Sequence, residues 1–263
     1  MTNAERPERV DLSVVTPIFN EAETVSETVR RVGQALADFP GTWELVIVDD
    51  GSTDDSRARA ESLAARERRL RVVGYRPNAG RGRALRTGFR AARGDFVVTI
   101  DFDLSYEPSH ILRVYDALRG EQAPDIVLVS AYMPGGSTQG VPPARLLASR
   151  LGNRLLRLAW PQRLYTSTCI VRGYRAEALR QLALTEDRKE IHLEILSQAF
   201  DRGLRIEEIP GHLAARTAGR SKARLGRAMW THLAFLARRR PALVVGLAAF
   251  AAALVLLLAL LAR

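Results

Sequence analysis

Asp101 and Asp103 stand in the pentapeptide Asp101-Phe102-Asp103-Leu104-Ser105, directly after the apolar run Phe96-Val97-Val98-Thr99-Ile100. Two carboxylates delivered together are hard oxygen donors, suited to Mg²⁺ or Mn²⁺, ions commonly shared between protein carboxylate and substrate phosphate. Residues two apart point to the same side of extended backbone, so both carboxylates are expected to face one site. An acid-rich turn leaving a strand would read the same, and the pair alone leaves both open. A second cluster, Asp49-Asp50-Gly51-Ser52-Thr53-Asp54, follows Leu45 to Val48. Aspartates there can accept from a base or ribose hydroxyl, with glycine allowing close backbone approach; equally, Ser52 or Thr53 can simply start the next helix. Pro17-Ile18-Phe19-Asn20-Glu21 and Asn78-Ala79-Gly80-Arg81-Gly82-Arg83 close the set. No Gly-x-Gly-x-x-Gly follows the first strand, which argues against a dinucleotide fingerprint.

These residues need strand ends to hold them. Leu12 to Thr16, Leu45 to Val48, Leu70 to Gly74, Phe96 to Ile100 and Ile126 to Val129 are short β-rich runs, and helical stretches alternate with them. The clearest helix runs from Glu23 to Phe39, with Val25, Val29, Val32 and Leu36 on one face. Alternating strands and helices imply an α/β fold with a doubly wound, mostly parallel sheet. Ligands of such sheets bind outside the carboxyl ends of the strands, where all four polar clusters fall. The glycine- and proline-rich stretch from Pro134 to Pro143 reads as a long functional loop. Helices over Arg145 to Leu158 and Ile191 to Phe200 and a strand over Leu204 to Ile209 follow it.

The chain has 263 residues and a net charge of +10. Its basic excess is local: from Arg216 to Arg240 there are eight basic residues and no acidic one. With Leu225, Met229, Leu233 and Leu236 at helical spacing, this segment reads as an amphipathic helix on anionic lipid, and nucleic acid is not an expected partner. A solvated helix packed on its own domain is the alternative. No charged residue appears from Pro241 to Ala262, roughly 32 Å of helix and enough to cross a bilayer. Arg238, Arg239 and Arg240 precede it and would keep the larger domain cytoplasmic. The expected division is a polar tail over residues 1–11, a catalytic domain over 12–216, a basic juxtamembrane segment over 217–240 and a single C-terminal membrane helix over 241–262. The lone Cys169 excludes an internal disulfide and fits a reducing compartment.

Taken together and in order, Pro17-Ile18-Phe19-Asn20-Glu21, Val48-Asp49-Asp50-Gly51-Ser52, Asn78-Ala79-Gly80-Arg81-Gly82 and Asp101-Phe102-Asp103 resemble the motif set of family 2 glycosyltransferases of the GT-A fold. The Asp-x-Asp-Leu-Ser pattern, the Pro134-Gly135-Gly136 loop and Arg216-Thr217-Ala218-Gly219-Arg220-Ser221-Lys222 look most like the dolichol/polyprenyl-phosphate mannose synthase branch. The resemblance covers about residues 12 to 222. It implies a nucleoside diphosphate sugar donor of mannose or glucose type. Pro17, Asn20, Glu21, Asp49, Asp50 and Gly80 would lie on the donor side, Asp101 and Asp103 at a divalent metal, and Ser105 as a third metal-side oxygen. It also places Arg216 and Lys222 near phosphate, with Arg172 matching the arginine of a Thr-Ser-Gly-Phe-Arg segment; a guanidinium fork can hold two phosphate oxygens at once.

Two departures fall on the acceptor side: Ala131 stands where the branch usually has arginine, and the segment from Thr166 to Arg172 is rewritten and lengthened. A phosphate monoester acceptor is itself a ready nucleophile, whereas a hydroxyl needs a general base. Glu186, Asp187 and Glu190 are the carboxylates available for that. Three readings follow: transfer to polyprenyl phosphate, transfer to a hydroxyl of another lipid or saccharide, and a non-catalytic nucleotide-binding adaptor tethered to the membrane. Oligomeric state is not legible.

Overall fold

The computed structural model describes residues 9–120 and 123–214, together with residues 230, 234–235, 237–239 and 241–242. Nine strands and seven helices lie among them in the order β1 Val10–Ile18, α1 Val25–Ala35, β2 Trp43–Asp50, α2 Ser56–Ala64, β3 Leu70–Tyr75, α3 Arg81–Ala91, β4 Gly94–Thr99, α4 His110–Arg119, β5 Ile126–Ser130, β6 Ser137–Gln139, α5 Pro143–Leu156, β7 Arg172–Arg175, α6 Ala176–Arg180, α7 Ile191–Asp201, β8 Ile206–Pro210 and β9 His212–Ala214. A 3₁₀ turn, Arg157–Ala159, continues α5. Each strand expected from the apolar runs is present with its ends moved by one or two residues: β1, β2, β3 and β5 are longer than expected, β4 begins at Gly94 and stops before Ile100, and β8 begins two residues after Leu204. The chain divides into two compact units, one of residues 1–141 and 165–220 and the other of residues 142–164 and 221–263.

Seven strands of the first unit form one sheet in the order β3-β2-β1-β4-β7-β5-β8. Residues 12–16 of β1 and 44–50 of β2 are buried in unbroken succession. Alternate residues of a strand face opposite ways, so such runs require cover on both faces. On one face α3 lies against Val15, Val46 and Val48. Its approach is set by Gly88, where a Cβ would come within 2.3 Å of Val15 Cγ1. The pairs β1–β2, β1–β4, β2–β3 and β5–β8 are parallel, as the alternating pattern implies.

The exception is β7, which runs antiparallel between β4 and β5. Arg172-Gly173-Tyr174-Arg175 has neither apolar continuity nor alternation of apolar with polar, so its sequence carries no strand signal. Both arginines are accommodated by backbone carbonyls: Arg175 donates to Leu118 O at 2.8 Å and lies over the Phe96 ring. Gly173 lets α4 pass, since a Cβ there would fall 2.2 Å from Val114 Cγ1. The glycine-rich loop also contains more than expected, because β6 pairs with β9 in a small second sheet.

Among the described residues no helix is long and apolar enough to cross a membrane. The expected span over 241–262 lies, beyond its first two residues, outside them, as does most of the basic segment over 217–240. The tight seat of α3 on the sheet gives a stability prediction. Gly88→Ala should lower the free energy of unfolding by about 1–3 kcal/mol, read as a reduced urea midpoint at unchanged m value; an unchanged midpoint would show that the helix is not seated this closely.

Candidate active site

Strand order reverses between β1 and β4: β1 continues through β2 to β3 on one side, while β4 leads toward β7 and β5 on the other. A crevice opens at such a point beyond the carboxyl ends of the strands. The loop after β1 carries Asn20 and Glu21, β2 ends in Asp49 and Asp50 just before its loop, and the turn after β4 carries Asp101 and Asp103. The first two loops are stitched together. Asn20 N donates to Ser52 Oγ at 3.1 Å, Thr53 N to Asn20 Oδ1 at 2.8 Å, and Glu21 N to Ser56 Oγ at 2.8 Å. Asn20 holds φ +57°, a left-handed conformation that asparagine tolerates better than most residues.

Asp50 organises the neighbouring loop. Its carboxylate accepts from Tyr75 Oη at 2.7 Å, Asn78 Nδ2 at 2.9 Å, Ala79 N at 3.0 Å and Gly80 N at 3.0 Å. Burial, and then the bond to Asp50, push the Tyr75 phenol well above its ordinary range, so it stays a donor. Gly51 is required beside it: its φ is +71°, and a Cβ would come within 2.5 Å of Asn78 N. Asp49 is fully buried, accepts from Ser52 N at 2.9 Å and has Arg57 at 4.0 Å. Asp50 is thus occupied in building the loop and fixing Gly80, whereas Asp49 keeps Oδ2 buried without a hydrogen-bond partner; both carboxylates lie inside the fold.

Residues 101–105 form a turn, so the alternation expected of an extended Asp101-Phe102-Asp103 does not apply. Leu104, at φ +50°, donates its N–H to Asp101 O at 3.2 Å. Thr16 Oγ1 donates to Ile100 O at 3.2 Å, Thr28 Oγ1 to Phe102 O at 2.9 Å, and Ala214 N to Ser105 O at 2.9 Å. Phe102 is buried beneath. Within the turn, Ser105 donates to Asp103 Oδ1 from its N at 3.0 Å and from its Oγ at 2.5 Å. Arg81, the first residue of α3, reaches Asp101 at 3.4 Å; the sequence reading did not assign this arginine, although it follows Gly80 in one of the quoted motifs. Among the described residues no group of three or more His, Cys, Asp or Glu could enclose a metal ion. Two carboxylates and a hydroxyl on one turn fit the manner in which Mg²⁺ or Mn²⁺ is held, with one or two protein carboxylates and the remaining positions filled by phosphate and water.

The loop before α7 folds against the start of α3. Asp187 O accepts from Gly82 N at 2.8 Å and Arg83 N at 3.1 Å, and the Asp187 carboxylate pairs with Arg86. Glu186 N donates to Glu194 at 3.0 Å. Of the three candidate bases, Glu190 keeps one buried oxygen, Oε2, without a hydrogen-bond partner.

Arg172 does not occupy the place expected of it. It is fully buried, and its guanidinium donates to Cys169 O at 2.7 Å, Ser167 O at 2.7 Å and His192 O at 3.2 Å. It holds the 167–169 loop from within and cannot grip a substrate phosphate in this arrangement; a short basic segment gives no sign of burial in sequence. Glu208 holds the same loop at its other end, accepting from Tyr165 N and Thr166 N at 2.6 and 2.7 Å. Ala131 is buried. Arg216 and Lys222 lie outside the described residues.

Comparison with known proteins gives the family. The profile described as "Glycosyl transferase family 2" matches residues 13–183. The Haloferax volcanii protein "Glycosyltransferase AglD" is 33% identical over 207 residues, 76% of this chain and 32% of that protein. The Rhizobium johnstonii "Dodecaprenyl-phosphate galacturonate synthase" is 32% identical over 176 residues, 66% of this chain and 51% of that protein. An Edwardsiella ictaluri "Undecaprenyl-phosphate 4-deoxy-4-formamido-L-arabinose transferase" is 32% identical over 80% of this chain and 62% of that protein. The chain therefore spans from just under a third to just under two thirds of the length of these relatives. Among solved structures, glucosyl-3-phosphoglycerate synthase from Mycobacterium tuberculosis, in complex with Mn²⁺, uridine diphosphate and glucosyl-3-phosphoglycerate, aligns with a TM-score of 0.66 at 27% identity, covering 88% of this chain and 80% of that one. The chain belongs to glycosyl transferase family 2, and its sheet is of the GT-A type.

His192 supplies a pH prediction. It is buried with both ring nitrogens unpartnered, and burial, then the charge of Arg172, hold its pKa well below 6.5. His110 is lowered too, by burial first. Between the lowered folded values and the ordinary imidazole range near 6.5, the unfolded chain binds more protons. The stability these neutral rings contribute is present above pH 6.5 and is lost as pH falls toward the folded values. Urea unfolding at pH 7, 6 and 5 should show declining stability, and His192→Phe should reduce the slope by up to about 1.4 kcal/mol per pH unit; an identical slope in the variant would contradict the assignment.

Proposed function

We propose that this family 2 glycosyltransferase moves a sugar of mannose or glucose type from a nucleoside diphosphate to a polyprenyl phosphate. The observation that carries the reading is the Asp101–Ser105 turn, two carboxylates pinned by backbone bonds at the reversal of the sheet. The printed names of two relatives, both prenyl-phosphate enzymes, support the acceptor class. A divalent cation, when bound by Asp101 and Asp103, supplies Lewis-acid stabilisation of the leaving nucleoside diphosphate. Ser105 orients Asp103 through its hydroxyl and offers a further oxygen on the metal side. Arg81 sets Asp101 and adds a fixed positive charge beside the diphosphate. Pro17, Asn20, Glu21 and the Asp50-held Gly80 frame the nucleoside, with Asp49 and Asp50 acting through the loops they build. Arg216 and Lys222 are assigned to phosphate by the resemblance alone.

The phosphate oxygen of the acceptor attacks the anomeric carbon, the bond to the diphosphate breaks, and configuration inverts. The second ionisation of a phosphate monoester lies near pKa ~6, so no protein base is needed. The uncharged run over 241–262 supports a single C-terminal anchor with the catalytic domain on the cytoplasmic side. Family membership favours this reading over the tethered adaptor. One observation favours a hydroxyl acceptor instead: Oε2 of Glu190 is buried without a hydrogen-bond partner, which leaves a carboxylate oxygen free to accept one.

The purified chain, assayed with polyprenyl phosphate and a panel of sugar nucleotides, tests the proposal. Asp103→Asn should lower kcat on the order of 10²–10³-fold without shifting the melting temperature, and chelation should abolish turnover until Mn²⁺ or Mg²⁺ is restored. Unchanged turnover in either case sinks the metal assignment. Glu190→Gln should leave transfer to lipid phosphate intact; a loss of about 10²–10⁴-fold, with an acid-stable product, would establish the hydroxyl acceptor.

A further inference from the structure

In the second unit, α5 presents large apolar side chains on the wrong side for a helix packed only on protein. Gly152, Asn153 and Leu156 form its buried side, yet Leu147 is 70% exposed, Leu151 is 49% exposed and Leu158, in the following 3₁₀ turn, is 44% exposed. Positions 147, 151 and 158 are separated by four and seven residues, so they recur on one helical face. Single exposed leucines are ordinary, but three aligned on one face of a helix mark a contact surface.

The charge around this face identifies what would cover it. From Pro142 to Leu164 the chain has Arg145, Arg150, Arg154, Arg157 and Arg163 and no acidic residue. Arg150 and Arg154 are exposed on the same side of the helix as the leucines, and Arg145 is exposed at its start. An apolar stripe flanked by arginine alone is the pattern of a helix lying in the plane of an anionic membrane, its leucines at the acyl boundary and its guanidinium groups among the headgroups. A protein partner of neutral or mixed charge would leave the arginines unmatched. Continuity within the unit points the same way. The Trp160 ring packs against Phe235 with centroids 5.3 Å apart, and Phe235 stands six residues before the uncharged run that begins at Pro241. Trp230, also in this unit, is 72% exposed, and tryptophan favours the headgroup level.

We propose that α5 is a membrane-docking helix, seated on anionic lipid by Leu147, Leu151 and Leu158, and that it is a second contact besides the C-terminal segment. The inference requires neither the metal nor the lipid acceptor of the transfer reading and stands or fails separately from it.

Site-directed nitroxides on the full chain test it. Cysteine is introduced as Leu147→Cys, Leu151→Cys and, as a control on the first unit, Arg68→Cys, each with Cys169→Ala to remove the native thiol. The labelled proteins are reconstituted in vesicles of phosphatidylcholine with phosphatidylglycerol. Labels at 147 and 151 should be shielded from an aqueous nickel chelate on the order of tenfold relative to 68, while remaining open to dissolved oxygen, as expected of a helix sunk to the acyl boundary. Omitting the anionic lipid should reduce that shielding. Chelate access at 147 and 151 equal to that at 68 overturns the proposal, and so does shielding with spin–spin broadening, which would mark a contact between copies of the chain. Amide exchange of the unsubstituted protein gives an independent check: peptides over 143–158 should exchange more slowly in anionic than in neutral vesicles, and equal rates count against the docking helix.

Discussion

A parallel sheet delivers its strand ends to one edge, and a reversal of strand order separates the loops there into two diverging groups. The remaining features of the site depend on that constraint. With β1 between β2 and β4, the strand ends that deliver Asn20, Asp50 and Asp101 must share an edge, however far apart they lie in sequence. Fine placement is then the work of backbone hydrogen bonds. Asp50 gathers Tyr75, Asn78, Ala79 and Gly80, while Thr16, Thr28 and Ala214 fix the turn after β4 from three different elements. A carboxylate held on such a turn loses little further freedom when a ligand arrives, which is the physical content of preorganisation.

The parts of this arrangement legible in the sequence were those written in continuous apolar runs. Strands β1, β2, β4 and β5 announce themselves because burial on both faces demands runs rich in apolar residues, while the edge strands β3 and β8 show only shorter apolar stretches. Strand β7 does not, because its two arginines are neutralised only by tertiary partners, carbonyls of residues 118, 124, 167, 169 and 192. The resemblance puts Arg172 with the site residues, and it is instead an internal brace. The acid pair was read correctly as a placement at a strand end and incorrectly as extended backbone, since the positive φ of Leu104 has no signature in a leucine. Asp49 and Asp50 showed their position but not their occupation: whether a carboxylate faces a ligand or its own loop depends on the amides that reach it, and those belong to residues up to thirty positions away.

Charge is unevenly distributed along the chain. The site in the first unit carries carboxylates tempered by Arg81, whereas residues 142–164 and 216–240 carry arginine and lysine with no acid at all. Basic surface beside apolar side chains draws a protein onto anionic lipid and concentrates anionic amphiphiles near it. The acceptor half of the proposed chemistry, which the crevice alone does not specify, has its physical support in that surface.

The central claim is that the protein supplies only part of a metal site, with the donor's diphosphate completing it. Calorimetric titration of Mn²⁺ into the purified chain tests this directly, first alone and then in the presence of UDP or GDP. Weak binding alone and binding at least about tenfold tighter with one of the two nucleotides is the expected result, lost in Asp101→Asn/Asp103→Asn, since two carboxylates leave most coordination positions to phosphate and water. Equally tight binding of Mn²⁺ without nucleotide, or nucleotide-dependent binding that survives loss of both aspartates, would contradict the account.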